Sequence, residues 1–458
     1  MLSTPSESTK RFSVTNLGGQ HAVSIEMNWT GLRDRMTVPV ALAILVVGSV
    51  AEWLRLPAVT RGTLWAEDAR RFLESAVAAG PAPAVLTPYA GYLHTVPRLI
   101  AGAAVQFAPV RSWALVMSAG SCIVAAGVAA LVFVLSRDVV EGIVPRLLLA
   151  AITLLDPLSP REVLGNTANL HWYFLWLSPW LLLYRPRSRV GAWLLGTVAL
   201  LASLTEIQLL FATPLIAWRW RDRRRWPVRA LFLLGVITQL VVTLTDPRGA
   251  GGSALIGIPS LALGYLVNAV LPIVLPSSQS VGWAFTHGGP LIGIVILATL
   301  LAVAMWGIVH SRGVVRTLFI VLPVSSMVLY TAAVEATPAA FSDYSAYSPK
   351  QWEAPWIDRY GVVPSLLLLA VIPLALSLTR RVTRMIGAVA LIAVLLAQFT
   401  PTQTRRDGGP LLSTQVASAS QLCTSEPPAT LTKLRGAPGG TWLVWVSCAR
   451  IRADRSAH

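Results

Sequence analysis

The sequence predicts an all-α integral membrane protein of about 11 transmembrane helices, each crossing a hydrocarbon core that takes roughly 20 apolar residues. Of its 458 residues 54% are hydrophobic and only 13% charged, against roughly 25% charged in ordinary soluble domains. The mean hydropathy is +0.62. The second observation is the position of the arginines. Arg-bearing turns recur between the apolar stretches at Arg137/Arg146, Arg185/Arg187/Arg189, Arg219 to Arg229, Arg312/Arg316 and Arg380/Arg381/Arg384. The positive-inside tendency puts all of them on the cytoplasmic side of a plasma membrane, so the connections between them lie outside. A formal charge of +16 does not point to nucleic acid, because the basic residues are scattered between spans. They set topology and meet anionic lipid headgroups.

Taken in order, residues 1–36 form a polar cytoplasmic segment with Lys10, Arg11, Arg33 and Arg35. No cleavable signal-peptide layout is visible there, so the first span, 37–55, stays as an anchor. The first extracytoplasmic loop, 57–111, holds two interfacial helices. Ala66 to Ala79 has helical spacing with Phe72, Ala76 and Ala79 on one face; Thr95 to Phe107 is apolar but short, and carries Pro97 and Arg98. Spans follow at 113–135, 143–156 and 170–184. Residues 190–218 have Arg-rich ends on both sides. Splitting them at Leu204-Thr205-Glu206 gives two short spans, keeps both basic clusters inside and lifts Glu206 to the outer surface.

A further span covers 229–245. The stretch from Asp246 to Gly289 is punctuated by Gly249-Ala250-Gly251-Gly252 and Pro276-Ser277-Ser278. Both its ends lie outside, so Pro259 to Leu275 reads as a re-entrant or surface helix. Spans at 290–310, 316–334, 361–378 and 385–399 complete a multi-pass domain over 37–399. The tail, 400–458, is extracytoplasmic. There Cys423 and Cys448 are expected to pair, since a disulfide persists outside the cytoplasm, and the alternation of Trp442, Val444 and Val446 after Gly439-Gly440 predicts a small strand-bearing cap. Cys122, inside an apolar span, reads as a packing residue.

Nearly all the reactive side chains fall on the outer connections. Of the acids only Glu7, Glu26, Asp34, Asp138, Glu141 and Asp222 lie on the arginine side. In Trp65-Ala66-Glu67-Asp68 the adjacent carboxylates point in different directions on a helix. One can serve as a general base while the other caps a helix N-terminus. Asn169 and His171 open a span among Trp172, Tyr173 and Trp176, which read as an interfacial aromatic belt. Glu206 is embedded between apolar runs, where an ionisable group marks function unless the turn lifts it into water. Arg359, after Asp358 and before Tyr360, suits bidentate capture of a lipid phosphate. No P-loop, dinucleotide fingerprint, zinc-spaced cluster or nucleophile elbow is present. Outside the cytoplasm an activated donor has to be carried on lipid.

These residues resemble the GT-C class of membrane glycosyltransferases, which use polyprenyl-phosphate-linked sugars. The likeness rests on Trp65-Ala66-Glu67-Asp68, on Tyr89-Ala90-Gly91-Tyr92-Leu93-His94 with Pro97-Arg98, on Asn169-Leu170-His171-Trp172, on Arg359-Tyr360 and on the strand from Trp442 to Cys448. It implies interfacial helices in the first outer loop and an active site on the outer face. It also implies Asp68 or Glu67 as the base that deprotonates an acceptor hydroxyl, with inversion at the anomeric carbon. Arg359 and His171 would stabilise the departing phosphate, and His94, Asn169 and Tyr360 of the same motifs would complete substrate binding; Glu206 joins them from its own position between apolar runs. The donor is then a lipid-linked sugar, with no further cofactor. The acceptor is a cell-envelope glycan, lipid or protein. No clear second Asp/Glu motif of the metal-dependent members is seen, Asp156 and Glu162 being candidates only, so no metal requirement is expected. The alternative from a different class is a transporter or flippase of lipid-linked sugars.

Overall fold

The computed structural model describes residues 29–248, 255–275 and 277–456. The expected cytoplasmic segment up to residue 28, the Gly249–Gly252 run and Pro276 lie outside the described residues. Among the described residues, seven helices are long and apolar enough to cross a membrane: Thr37–Arg55, Val110–Asp138, Ile143–Glu162, Arg223–Thr245, Leu291–His310, Gly313–Ala336 and Arg359–Ser377. An eighth results if Ile258–Ile273 and Ser278–Gly288, bent by 118°, are counted as one broken span. The chain is therefore a multi-pass helical membrane protein.

The other four expected spans are helical but short. They are His171–Leu183, Arg189–Ser203, the 3-10 segment Ile207–Ala217 and Arg381–Ala397. At 1.5 Å per residue a 13-residue helix such as His171–Leu183 reaches only about 20 Å, against a core of ~30 Å.

Exposure sorts the helices into shells. Only 17% of the Thr37–Arg55 window and 22% of Leu291–His310 are buried, so these turn apolar faces outward; 89% of Arg359–Ser377 is buried, which puts that helix at the centre. Every residue of His171–Leu183 is buried too. Trp172, Tyr173 and Trp176 are therefore core, not the aromatic belt expected of them. A helix that is apolar all round is driven inside, and Trp176 satisfies its indole N–H on Thr153 Oγ1 at 2.8 Å.

The Arg-bearing turns converge on one face. Arg185, Arg187, Arg219, Arg224 and Arg225 line one cavity with Asp138 and Gly313, and the Arg384 guanidinium sits against Gly142. The opposite face is tied down by buried cations. Arg55 donates to the carbonyls of Leu154, Asp156 (2.8 Å) and Phe399 (3.1 Å). Arg406 donates to Gly165 (2.8 Å) and Leu164 (2.9 Å).

Over that face lies a layer built from the first loop and the tail. Thr95–Phe107 is a helix with the expected bounds, its Arg98 buried over the Phe72 ring at 5.3 Å. The tail runs through helix Leu412–Leu422, antiparallel strands Leu431–Arg435 and Leu443–Ser447, and helix Cys448–Ser456, with Cys423 and Cys448 joined in a disulfide. Leu434, Val444 and Val446 of the strands share one core with Leu64, Phe72 and Trp113. The Ala66 amide donates to Ala437 at 2.7 Å and Ala437 to Leu64 at 2.8 Å. The tail thus fixes the backbone on either side of Trp65, next to the paired acids.

Candidate functional site

Glu67 and Asp68 divide their labour through the geometry of a π-helical turn, Asp68–Leu73, a form that recurs at functional sites. Asp68 is 1% exposed and accepts from Thr167 Oγ1 at 2.6 Å, from the Ala168 amide at 3.0 Å and from the Thr167 amide at 3.3 Å. Burial pushes its carboxyl up to about 6, partly offset by the Thr167 hydroxyl. Held by these three hydrogen bonds, Asp68 anchors the Thr167–Asn169 turn and is absent from the lining of the cavity described next. Glu67 does line it, and makes no hydrogen bond or ion pair among the described residues.

That cavity has a volume of about 390 Å³. Besides Glu67 it brings together His94, Asn169, His171, Glu206, Arg359 and Tyr360, drawn from five separate stretches of chain. The loop carrying Tyr89 to His94 is strapped down: Gln239 exchanges hydrogen bonds with the Leu93 backbone at 2.8 and 3.1 Å, and Thr243 donates to Gly91 at 2.6 Å. Gly91, at φ 84°, meets the Arg248 backbone 3.0 Å from where a Cβ would sit, a close approach that calls for glycine.

Its electrostatics follow from burial. Glu206 is 3% exposed; one oxygen caps Gln208 N at 2.6 Å and the other lies 3.5 Å from His171 Nδ1, within ion-pair range but not aligned as a hydrogen bond. Burial pushes the Glu206 carboxyl up to about 7. His94 stacks on Tyr92 at 4.1 Å; burial, with help from Arg98, pushes its imidazole down to about 3, so it stays neutral. Asn169 donates to the Glu162 carbonyl at 3.3 Å. Arg359 pairs with the Glu162 carboxylate and lies 5.3 Å from the Tyr360 ring centroid.

Asp358 turns away from Arg359. It caps Tyr360 N at 2.9 Å, leaves its second oxygen without a hydrogen bond, and is pushed up to about 7 by burial and the nearby Glu162 charge. Three helical segments, opening at His171, Ile207 and Arg359, start at this cavity. The positive ends of their dipoles gather there, an arrangement that favours an anion.

Gln208 and Phe211 belong both to this cavity and to an apolar slot of about 260 Å³ between Ile207–Ala217, Gly313–Ala336 and His171–Leu183. A polar hollow and an apolar one therefore adjoin at these two side chains.

Of the two acids considered for a metal, Asp156 accepts from Ser159 and Ser365 at 2.8 Å each, while Glu162 is held by Arg359. No group of three or more His, Cys, Asp or Glu among the described residues is placed to hold a metal ion. The sequence reading missed Gln208, Thr243, Arg248 and Arg405. Arg405, whose guanidinium stacks 3.5 Å over the Trp356 ring, approaches Glu162 from the other side at 4.0 Å. Nothing local to these residues marks them; only their position does.

Compared with known proteins, the chain matches no family model, no curated protein and no solved structure.

Proposed function

We propose that this protein is a GT-C-type glycosyltransferase that moves a sugar from a polyprenyl-phosphate donor to a cell-envelope acceptor. The transfer takes place at the cavity-bearing face, read as the extracytoplasmic face of the plasma membrane. The observation that carries the reading is a single cavity that joins an unpartnered carboxylate, Glu67, to Arg359 and adjoins an apolar slot. A lipid chain fits the slot, its phosphate the Arg359 end, and its sugar the space between.

In this scheme Glu67, not Asp68, takes the proton from the acceptor hydroxyl. The acceptor oxygen attacks the anomeric carbon. The bond from that carbon to the phosphate oxygen breaks, and the phosphate leaves with the electron pair, inverting the centre. Arg359 and the helix N-termini receive the growing charge, with His171 and Tyr360 beside them. His94 on Tyr92 and the amide of Asn169 line the sugar space, and Asp68 acts only by positioning Asn169. The scheme routes no step through a metal.

The test is turnover by the full chain in liposomes, read as release of polyprenyl phosphate from a polyprenyl-phosphate sugar. Glu67→Gln is expected to lower it by about 10²–10⁴-fold, the usual contribution of one positioned base, with no change in Tm. Full turnover in Glu67→Gln would remove the base from this assignment. A second reading, a flippase of lipid-linked sugars, draws on the cavities that follow one another along the same three helical walls from this face to the arginine face. It requires transbilayer movement of a fluorescent polyprenyl phosphate without turnover.

A further inference from the structure

The arginine face holds two cavities that the transfer chemistry leaves unused. One, of about 680 Å³, is lined by five arginines; its neighbour, of about 490 Å³, by four. Arg187 and Arg224 belong to both, so the two basins adjoin. Topology alone asks only that arginines lie on this side of the membrane. It does not ask them to surround a hollow.

The floor of the larger basin is built, not draped. Arg225 is 4% exposed and donates to the Leu183 carbonyl. The 1%-exposed Arg229 donates to the carbonyls of Trp218 and Arg219. These bonds hold Arg219 at φ 47°, a left-handed conformation that costs a non-glycine residue about 1 kcal/mol or more.

Charge in the basins is unbalanced. Asp222 accepts from Arg185 at 3.0 Å and Arg225 at 3.4 Å, and Asp138 lies 4.0 Å from Arg187. The side chains of Arg219, Arg223 and Arg224 meet no carboxylate among the described residues. Trp193 lines the smaller basin and is 59% exposed, while Trp220 and Trp226, 58% and 40% exposed, flank the 221–225 turn in the chain; such amphipathic rings suit the glycerol level of a bilayer.

We propose that the two basins form a seat for a phospholipid whose headgroup carries two phosphates. One phosphate occupies each basin, with Arg187 and Arg224 between them. Basic pockets between membrane helices recognise anionic headgroups in this way. The doubling of the basin sets the preference for two phosphates over one. This site lies at the far end of the Gly313–Ala336 helix from the transfer cavity, about 36 Å away at 1.5 Å per residue over 24 residues, and does not depend on the transferase reading.

The experiment is native mass spectrometry of the full chain in uncharged detergent. It is titrated with tetraoleoyl diphosphatidylglycerol, with dioleoyl phosphatidylglycerol, with a phosphatidylcholine, and with free pyrophosphate. The two-phosphate lipid is expected to bind at least about 10-fold tighter than the one-phosphate lipid, as an added phosphate facing Arg223 and Arg224 implies. Arg187→Gln with Arg224→Gln should abolish that preference. Arg380→Gln with Arg381→Gln, a pair in another turn of the same face, should keep it. Equal binding of the two lipids by the unaltered protein overturns the proposal, as does equal loss in both double variants, which would mean surface charge alone. Pyrophosphate competing at the same concentration as the lipid would overturn the lipid as occupant and leave a soluble-anion site.

Discussion

The two ends of the seam between His171–Leu183, Ile207–Ala217 and Gly313–Ala336 treat charge in opposite ways. At the cavity end, acids are buried: desolvation pushes Glu206 up to about 7, and desolvation with the nearby Glu162 charge does the same to Asp358. At the arginine end, the slight burial of Asp222 is outweighed by the Arg224 amide and by the Arg185 and Arg225 guanidinium groups, so its carboxyl lies below its ordinary value. Water makes the difference. A desolvated carboxyl can hold or release a proton near neutrality, which proton transfer needs. A solvated, paired one stays charged and serves only to balance cations.

After the loss expected for Glu67→Gln, the next largest effect is in the layer that covers the cavity end. Cys448→Ser removes a bridge between positions 25 apart and should cost about 2–4 kcal/mol. Chemical denaturation of the full chain, with the tail followed by Trp442 and Trp445 fluorescence, reads this; a loss under about 0.5 kcal/mol would mean that the Leu434–Val444–Val446 core holds the tail unaided.

Asp68→Asn comes next. An amide cannot accept from Thr167 and Ala168 as the carboxylate does, and one end of it presents a donor to a donor. The expected cost is about 1–3 kcal/mol in Tm-derived stability, with a raised KM for the donor because Asn169 shifts. An unchanged Tm with activity abolished would instead make Asp68 the base and reverse the division between the two acids.

The smallest effect is a pH dependence. Glu206 has a folded-state value near 7 against an ordinary 4.5. The fold therefore favours the protonated form. That contribution is complete below about pH 4.5 and lost as pH rises through about 7. Thermal melts from about pH 5 to 8 should show Tm falling in the wild type and a shallower fall in Glu206→Gln; equal slopes would mean that Glu206 reaches water through the cavity.

Much of this was legible in the chain. The Thr95–Phe107 helix, the break at Leu204-Thr205-Glu206 and the strand through Val444 and Val446 all lie where hydropathy, turn residues and alternation put them. So does the convergence of the Arg-bearing turns. The cavity collects Glu67, Asn169, His171, Glu206 and Arg359, read from their places at polar–apolar boundaries, together with His94 and Tyr360, which entered through the resemblance. Other features were not legible. Arg359 pairs with Glu162, 197 positions away, and no local pattern marks a partner at that distance. Trp172 and Trp176 carry the same residue types whether they face headgroups or a protein core.

From the order of residues alone it follows that the chain crosses a membrane many times and that its Arg-bearing turns alternate with connections that carry most of its acids. Both properties follow from transfer free energies that add along the chain, residue by residue. It took the packed fold to turn Glu67 to the cavity while Asp68 grips the Thr167–Asn169 turn, and to sheath His171–Leu183 in protein. A side chain's direction depends on which surfaces pack against its helix, and packing is set by residues that the linear order keeps far apart.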